Sequence, residues 1–218
     1  IAGMSSISDS DQMTRAFNAI HGSASGKALL KDSKTRSAVA GSLKSSKSVI
    51  NQSMGKLVAK SPDGTFTHEE LRDKVQGAGT SVMASQDKDT FKSEGAMDLF
   101  SKEQLAAGMG AGYSGADAAA FSKMMMGNET KAAEALGSMS ASQVAGMSTD
   151  MFKSTEDGGM GSEFIKNNVS KDAINTLNSE DGARLRASMN AQVKEALGIT
   201  GDGGSSSEST PAPAPEDD

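Results

Sequence analysis

Three short stretches of this chain begin in the same way. Residues 66–71 read FTHEEL, residues 100–105 read FSKEQL and residues 139–144 read MSASQV. In each, a Thr or Ser is followed three residues later by Glu or Gln. Apolar side chains stand immediately before the hydroxyl and four residues after it. This is a capping box joined to a hydrophobic staple. The hydroxyl accepts from an orphan N–H in the first helical turn, the Glu or Gln returns to the cap's own N–H, and the apolar pair sets the angle at which the chain enters. VSKDAI (Val169 with Ile174) and MSTDMF (Met147 with Phe152) carry the apolar pair without the box. ISDSDQM and YSGADA place an acid, Asp11 and Asp117, at the third helical position.

A chain that starts this many helices cannot make them long. The spacing between starts agrees with that. Met13, Ala16, Phe17 and Ile20 fall at helical intervals before Gly22. Val49, Ile50, Met54, Leu57 and Val58 line one face, and Leu185, Met189, Val193 and Leu197 recur every four residues up to Gly198. Shorter pieces are expected at 114–126 and 129–136. No run alternates in the manner of a strand. The caps Thr67, Ser101, Ser140 and Ser170 are separated by 34, 39 and 30 residues. That spacing suggests helix-pair units but matches no known repeat consensus.

Composition explains why local signals matter so much here. Leu, Ile, Val and Phe together supply only 33 of 218 residues, while Ala supplies 30 and Met 14. A core built from so few large side chains is thin. Caps worth about 1 kcal/mol each then carry an unusual share of the stability. The expected fold is all-α: an irregular bundle or array of short capped helices. Residues 1–60 are read as N-terminal helices containing a basic segment, 61–200 as a Met- and Ala-rich helical region, and 201–218 as a disordered acidic tail of Gly, Ser, Pro and acids.

Charge is uneven. Between residues 23 and 60, Lys27, Lys31, Lys34, Arg36, Lys44, Lys47, Lys56 and Lys60 face a single acid, Asp32, for a net +7, whereas 61–200 sum to −7 and 201–218 to −5. Such asymmetry marks an anionic partner or membrane surface, or else a solvated helix face. The candidate anionic-surface contacts are Lys27, Lys31, Lys34, Arg36, Lys44 and Lys47. Nucleic acid is not an expected partner, because the segment has no aromatic residue to stack on bases.

Residues 61–71, SPDGTFTHEEL, resemble the second half of an EF-hand loop. With Gly64 at loop position 6, Asp63, Thr65, Thr67 and Glu70 fall at positions 5, 7, 9 and 12. Position 1 is Ala59 and position 3 is Ser61, so the opening carboxylate is missing. A turn running into a capped helix accounts for the same letters. A calcium set, if one exists, is Asp63, Thr65, Thr67 and Glu70.

Nine of the 14 methionines lie between residues 97 and 160. Thioethers either fill gaps in a core short of Leu and Ile or line an adaptable partner groove. The groove candidates are Met109, Met124, Met125, Met126, Met139, Met147 and Met151. There is no cysteine, and the two histidines, His21 and His68, are not at metal-ligand spacing. No nucleophile elbow or phosphate loop occurs. No enzymatic activity and no cofactor are therefore expected.

The expected function is a non-enzymatic helical interaction or structural module, one part of a larger protein or assembly, with another protein as partner. The chain opens on Ile1, and a basic segment follows closely. The second expectation is therefore the soluble C-terminal region of a polytopic membrane protein, of the kind found in secretion or conjugation machinery. The third is a degenerate calcium-responsive module. A location in the cytoplasm or on the cytoplasmic face of a membrane fits the first two.

Overall fold

The computed structural model describes residues 3–200. The expected tail, 201–218, lies outside the described residues. Among those described there is no strand, and fifteen short α-helices follow one another. They are α1 (Ser10–Gly22), α2 (Ala24–Leu30), α3 (Ser33–Lys44), α4 (Val49–Lys60), α5 (His68–Gln76), α6 (Lys88–Phe91), α7 (Ala96–Leu99), α8 (Lys102–Met109), α9 (Gly115–Met126), α10 (Glu129–Gly137), α11 (Ala141–Ala145), α12 (Ser162–Asn168), α13 (Lys171–Asn178), α14 (Ala183–Ser188) and α15 (Ala191–Leu197). The chain is an all-α array, as the repeated start signals predict. No helix among the described residues is long and apolar enough to cross a membrane.

All three capping boxes form. Thr67, Ser101 and Ser140 each accept from the N–H three residues on, and Glu70, Gln104 and Gln143 each return to the cap N–H. The staple residues Phe100 with Leu105 and Met139 with Val144 are buried. Gly64 sits at φ +72° in the turn before α5, a conformation that only glycine adopts without strain.

The array is held by a second set of caps that act over distance. Gln86 Oε1 accepts from Val49 N–H at the start of α4, 37 residues earlier. Gln104 Nε2 donates to Val75 O at the end of α5, 29 residues earlier. Asp117 accepts from Lys88 N–H at the start of α6, again at 29. Lys131 Nζ donates to Met97 O in α7, at 34, and Asp150 accepts from Gly115 N–H at the start of α9, at 35. Helix ends leave orphan N–H and C=O groups. Here a side chain one stretch further along the chain satisfies them.

Packing follows the same order. The hairpin α3–α4 leads into α5, which packs on α7. Next, α6 packs on α9, α8 on α10 and α11, α10 on α12, α11 on α13 and α14, and α12 on α15. A buried polar knot ties the first helices together and to α6. Asn51, fully buried, donates to Ser10 O (2.8 Å) and Ser46 Oγ (3.1 Å) and accepts from Thr14 Oγ1 (2.7 Å). Thr14 Oγ1 also lies 3.4 Å from Ser93 Oγ.

Methionine does the work of the missing Leu and Ile. Twelve of the fourteen methionines are buried. The same core holds a triad of Phe91, Tyr113 and Phe121, whose ring centroids lie 5.0–5.3 Å apart. The Tyr113 hydroxyl donates to Met83 O, and burial, with Asp117 and Asp87 nearby, pushes its pKa up.

Two local expectations are corrected, and a third position proves to have a further role. The run Leu185–Met189–Val193–Leu197 is two helices, not one. Met189 is extended at ψ 145°, and the Asn190 side chain accepts from Gln192 N–H to start α15 afresh. A four-residue spacing reads alike for one helix or for two, and here the Asn cap decides. At α1 the cap is Asp9, which accepts from Gln12 N–H, while Asp11 pairs with Arg15. At α9, Asp117 stands at the third helical position, as expected, but its carboxylate accepts from another helix. It caps α6, and Asp150 caps α9.

Candidate docking surface

The basic segment folds as α2, α3 and α4. The inward faces are mainly apolar: Leu30, Val39, Leu43, Ile50, Met54 and Val58 are all buried, with Asn51 and Ser53 among them on α4. This leaves the lysines outside. Lys27, Lys31, Lys34, Lys44, Lys47, Lys56 and Lys60 are exposed. Among the described residues none of them forms an ion pair. The six ion pairs present lie elsewhere, within α1, around α5 and α6, in α8, and between Asp150 and Lys153. The segment's one acid, Asp32, is occupied as the N-cap of α3, accepting from Thr35 N–H at 2.8 Å. Among the described residues, the lysines of the basic segment are thus not paired with carboxylates of the acidic remainder of the chain.

Arg36 differs from the lysines. It is partly buried, and its guanidinium donates to Leu30 O and Lys31 O, closing the end of α2. This contact ties α3 to the end of α2.

One residue at this surface was not anticipated. Leu29 is 49% exposed, the one exposed large hydrophobic side chain among the described residues. The signal was present in the doublet Leu29–Leu30 on a seven-residue helix. Successive helical positions lie about 100° apart, so only one of the two can face the core. Leu30 does, at 0% exposure.

The methionine groove candidates divide. Met109, Met125, Met139, Met147 and Met151 lie in the core, where they fill space. Met124 and Met126 remain partly exposed and, with Met97, border an open groove of about 1110 Å³. Its floor is the small-residue face of α9 (Ala116, Ala119, Ala120). One wall is the loop through Gly158, and Lys92, Lys123 and Glu156 stand around it.

In the 61–71 turn, Asp63 Oδ1 accepts from Ser61 Oγ (2.8 Å), Thr65 Oγ1 (2.6 Å) and Thr65 N–H (3.1 Å). The Thr65 and Ser61 hydroxyls, with the Thr65 N–H, hold the Asp63 carboxyl down to about 2. Thr67 and Glu70 bond to each other's backbone N–H groups. Asp63 Oδ1, Glu70 Oε2 and Thr67 Oγ1 thus each take part in the turn or the cap. Among the described residues no group of three or more His, Asp or Glu side chains gathers in a way that could hold a metal ion.

The same turn is pinned to α1 through His21. The imidazole stacks on Phe66 (centroids 4.7 Å apart) and Phe17 (5.4 Å), and Nε2 accepts from Phe66 N–H at 3.3 Å. An accepting Nε2 carries no proton. Burial lowers the His21 pKa below 6.5, the Lys27 ammonium lowers it further, and Asp63 opposes both. The sign follows from linkage. The unfolded chain takes up the proton near pH 6.5, before the folded chain does. Stability from this site is complete above that pH and falls as pH drops below it, levelling off once folded His21 also protonates. Denaturant midpoints measured from pH 7.5 to 5 are expected to fall, and His21→Leu should flatten part of that slope. An NMR titration that places His21 at or above 6.5 contradicts this account.

No protein-family model matches the chain, and no curated protein or solved structure matches it either.

Proposed function

We propose that this chain is a non-enzymatic helical interaction module that docks through its basic segment, residues 23–60, on an anionic partner surface. The observation that supports this is the set of seven lysines held at the surface of α2–α4 and their connecting turns without a carboxylate partner among the described residues. Lysines that only solvate a helix would tolerate acids among them. These have Asp32 alone, and it is turned to the α3 cap. The array supplies a fixed platform, and the lysines supply long, mobile ammonium groups that reach a charged surface.

Fluorescence anisotropy with labelled poly-L-glutamate tests the reading. Binding is expected at low salt and should weaken steeply as salt rises, because exposed charges are screened over about 10 Å at 0.1 M. The triple variant Lys31→Glu, Lys34→Glu, Lys44→Glu should lose it while keeping the wild-type melting curve. A chain that binds neither polyglutamate nor any other polyanionic surface at low salt overturns the reading.

A further inference from the structure

Leu29 sets this surface apart from a simple polyanion site. It is half exposed within the net +7 segment, on a helix that turns Gly26 and Leu30 inward. At about 100° per residue, Ala28 then faces outward, with Lys27 and Lys31 on one shoulder and Leu29 on the other. Next along the chain, the exposed positions of α3 after its first residue, Ser33, are Lys34, Ser37, Ala38, Gly41 and Lys44. Their three- and four-residue spacing makes them one face, with a lysine at each end and small residues between.

We infer that the partner is a membrane surface carrying anionic lipid headgroups, with Leu29 entering the headgroup boundary and the lysines lying over the phosphates. This rests on the docking reading above and names its partner. Three features favour lipid over an acidic protein. The charge is dispersed along α2–α4 rather than focused, which suits a fluid layer whose phosphates rearrange to meet each ammonium. A lone leucine gains by leaving water, and the headgroup boundary receives it without needing a matching pocket. The small residues between Lys34 and Lys44 let the α3 backbone approach a plane closely. Residues 61–200, at net −7, are repelled by the same surface and orient the protein with its basic side down.

The test uses the full chain in co-sedimentation with phosphatidylcholine vesicles made with and without phosphatidylglycerol, with polyglutamate anisotropy in parallel. The expected result is partition onto the anionic vesicles alone. Leu29→Ser should weaken that partition about five-fold, the effect of losing one partly inserted leucine, and leave polyglutamate binding unchanged. Lys31→Glu with Lys34→Glu and Lys44→Glu should abolish both. If the chain binds polyglutamate but not anionic vesicles, or if Leu29→Ser partitions like wild type, the lipid inference is overturned and the docking reading stands. Equal binding to neutral vesicles also overturns it. If neither probe binds, both fall.

Discussion

Asn51→Ala is expected to lower the unfolding free energy by about 3 kcal/mol, seen as a lower denaturant midpoint with an unchanged slope. Asn51 is fully buried and holds three groups at once: Ser10 O, Ser46 Oγ and the Thr14 hydroxyl. Those partners are themselves buried. Alanine makes none of the bonds and offers water no route to replace them. A buried group left without a partner costs about 1–3 kcal/mol, and the better helix propensity of Ala returns only part of it. The Thr14→Val change removes one member of the same knot. The double variant should therefore lose less than the sum of the two single changes. Additive losses would mean that the knot is a set of independent contacts.

Gly146→Ala is the second large effect, about 2–4 kcal/mol of destabilisation. Gly146 follows α11 and Gly110 follows α8, and the two chain segments touch backbone to backbone. A Cβ on Gly146 would overlap Gly110 O, and one on Gly110 would come within 2.7 Å of Gln143 Cα. Neither neighbour is a flexible side chain that can step aside. The two helix ends must separate, and the buried apolar residues beside them, Met109 and Met147, would lose contact. Gly22→Ala is the control. Nothing lies within 4 Å of a Cβ at the end of α1, and no adverse φ is present. That variant should be neutral or more stable by up to about 1 kcal/mol. If Gly146→Ala melts like Gly22→Ala, the close approach of α8 and α11 is not as described.

What could be read in advance was what acts locally. FTHEEL, FSKEQL and MSASQV start α5, α8 and α11 because a capping box involves only neighbours in sequence. The all-α class follows from the same signals. The long-range caps were out of reach for the converse reason. Asp117 stands at the third helical position of α9 and so looks like its cap. Only the packing of α6 on α9 brings Lys88 N–H nearer than its own helix start. Asn190 was hidden by a four-residue spacing that continues across the break. At the basic surface, the sign and concentration of charge were legible, since they are composition. The exposure of Leu29 and the lack of acid partners for the lysines were not, because both depend on which face each short helix turns inward. The methionines show the limit most clearly. The same residue type fills the core at Met125 and borders a groove at Met124 and Met126, and nothing in the triplet separates them.

The caps that reach back 29 to 37 residues also bear on how the chain is made. A polypeptide leaving the ribosome exposes its N-terminal side first. The start of α4 must wait for Gln86, the end of α5 for Gln104, the start of α6 for Asp117, α7 for Lys131 and the start of α9 for Asp150. At these five helices, finished structure therefore trails the growing end by about one cap span. The newest helices remain open at one end until translation supplies the side chain that closes them.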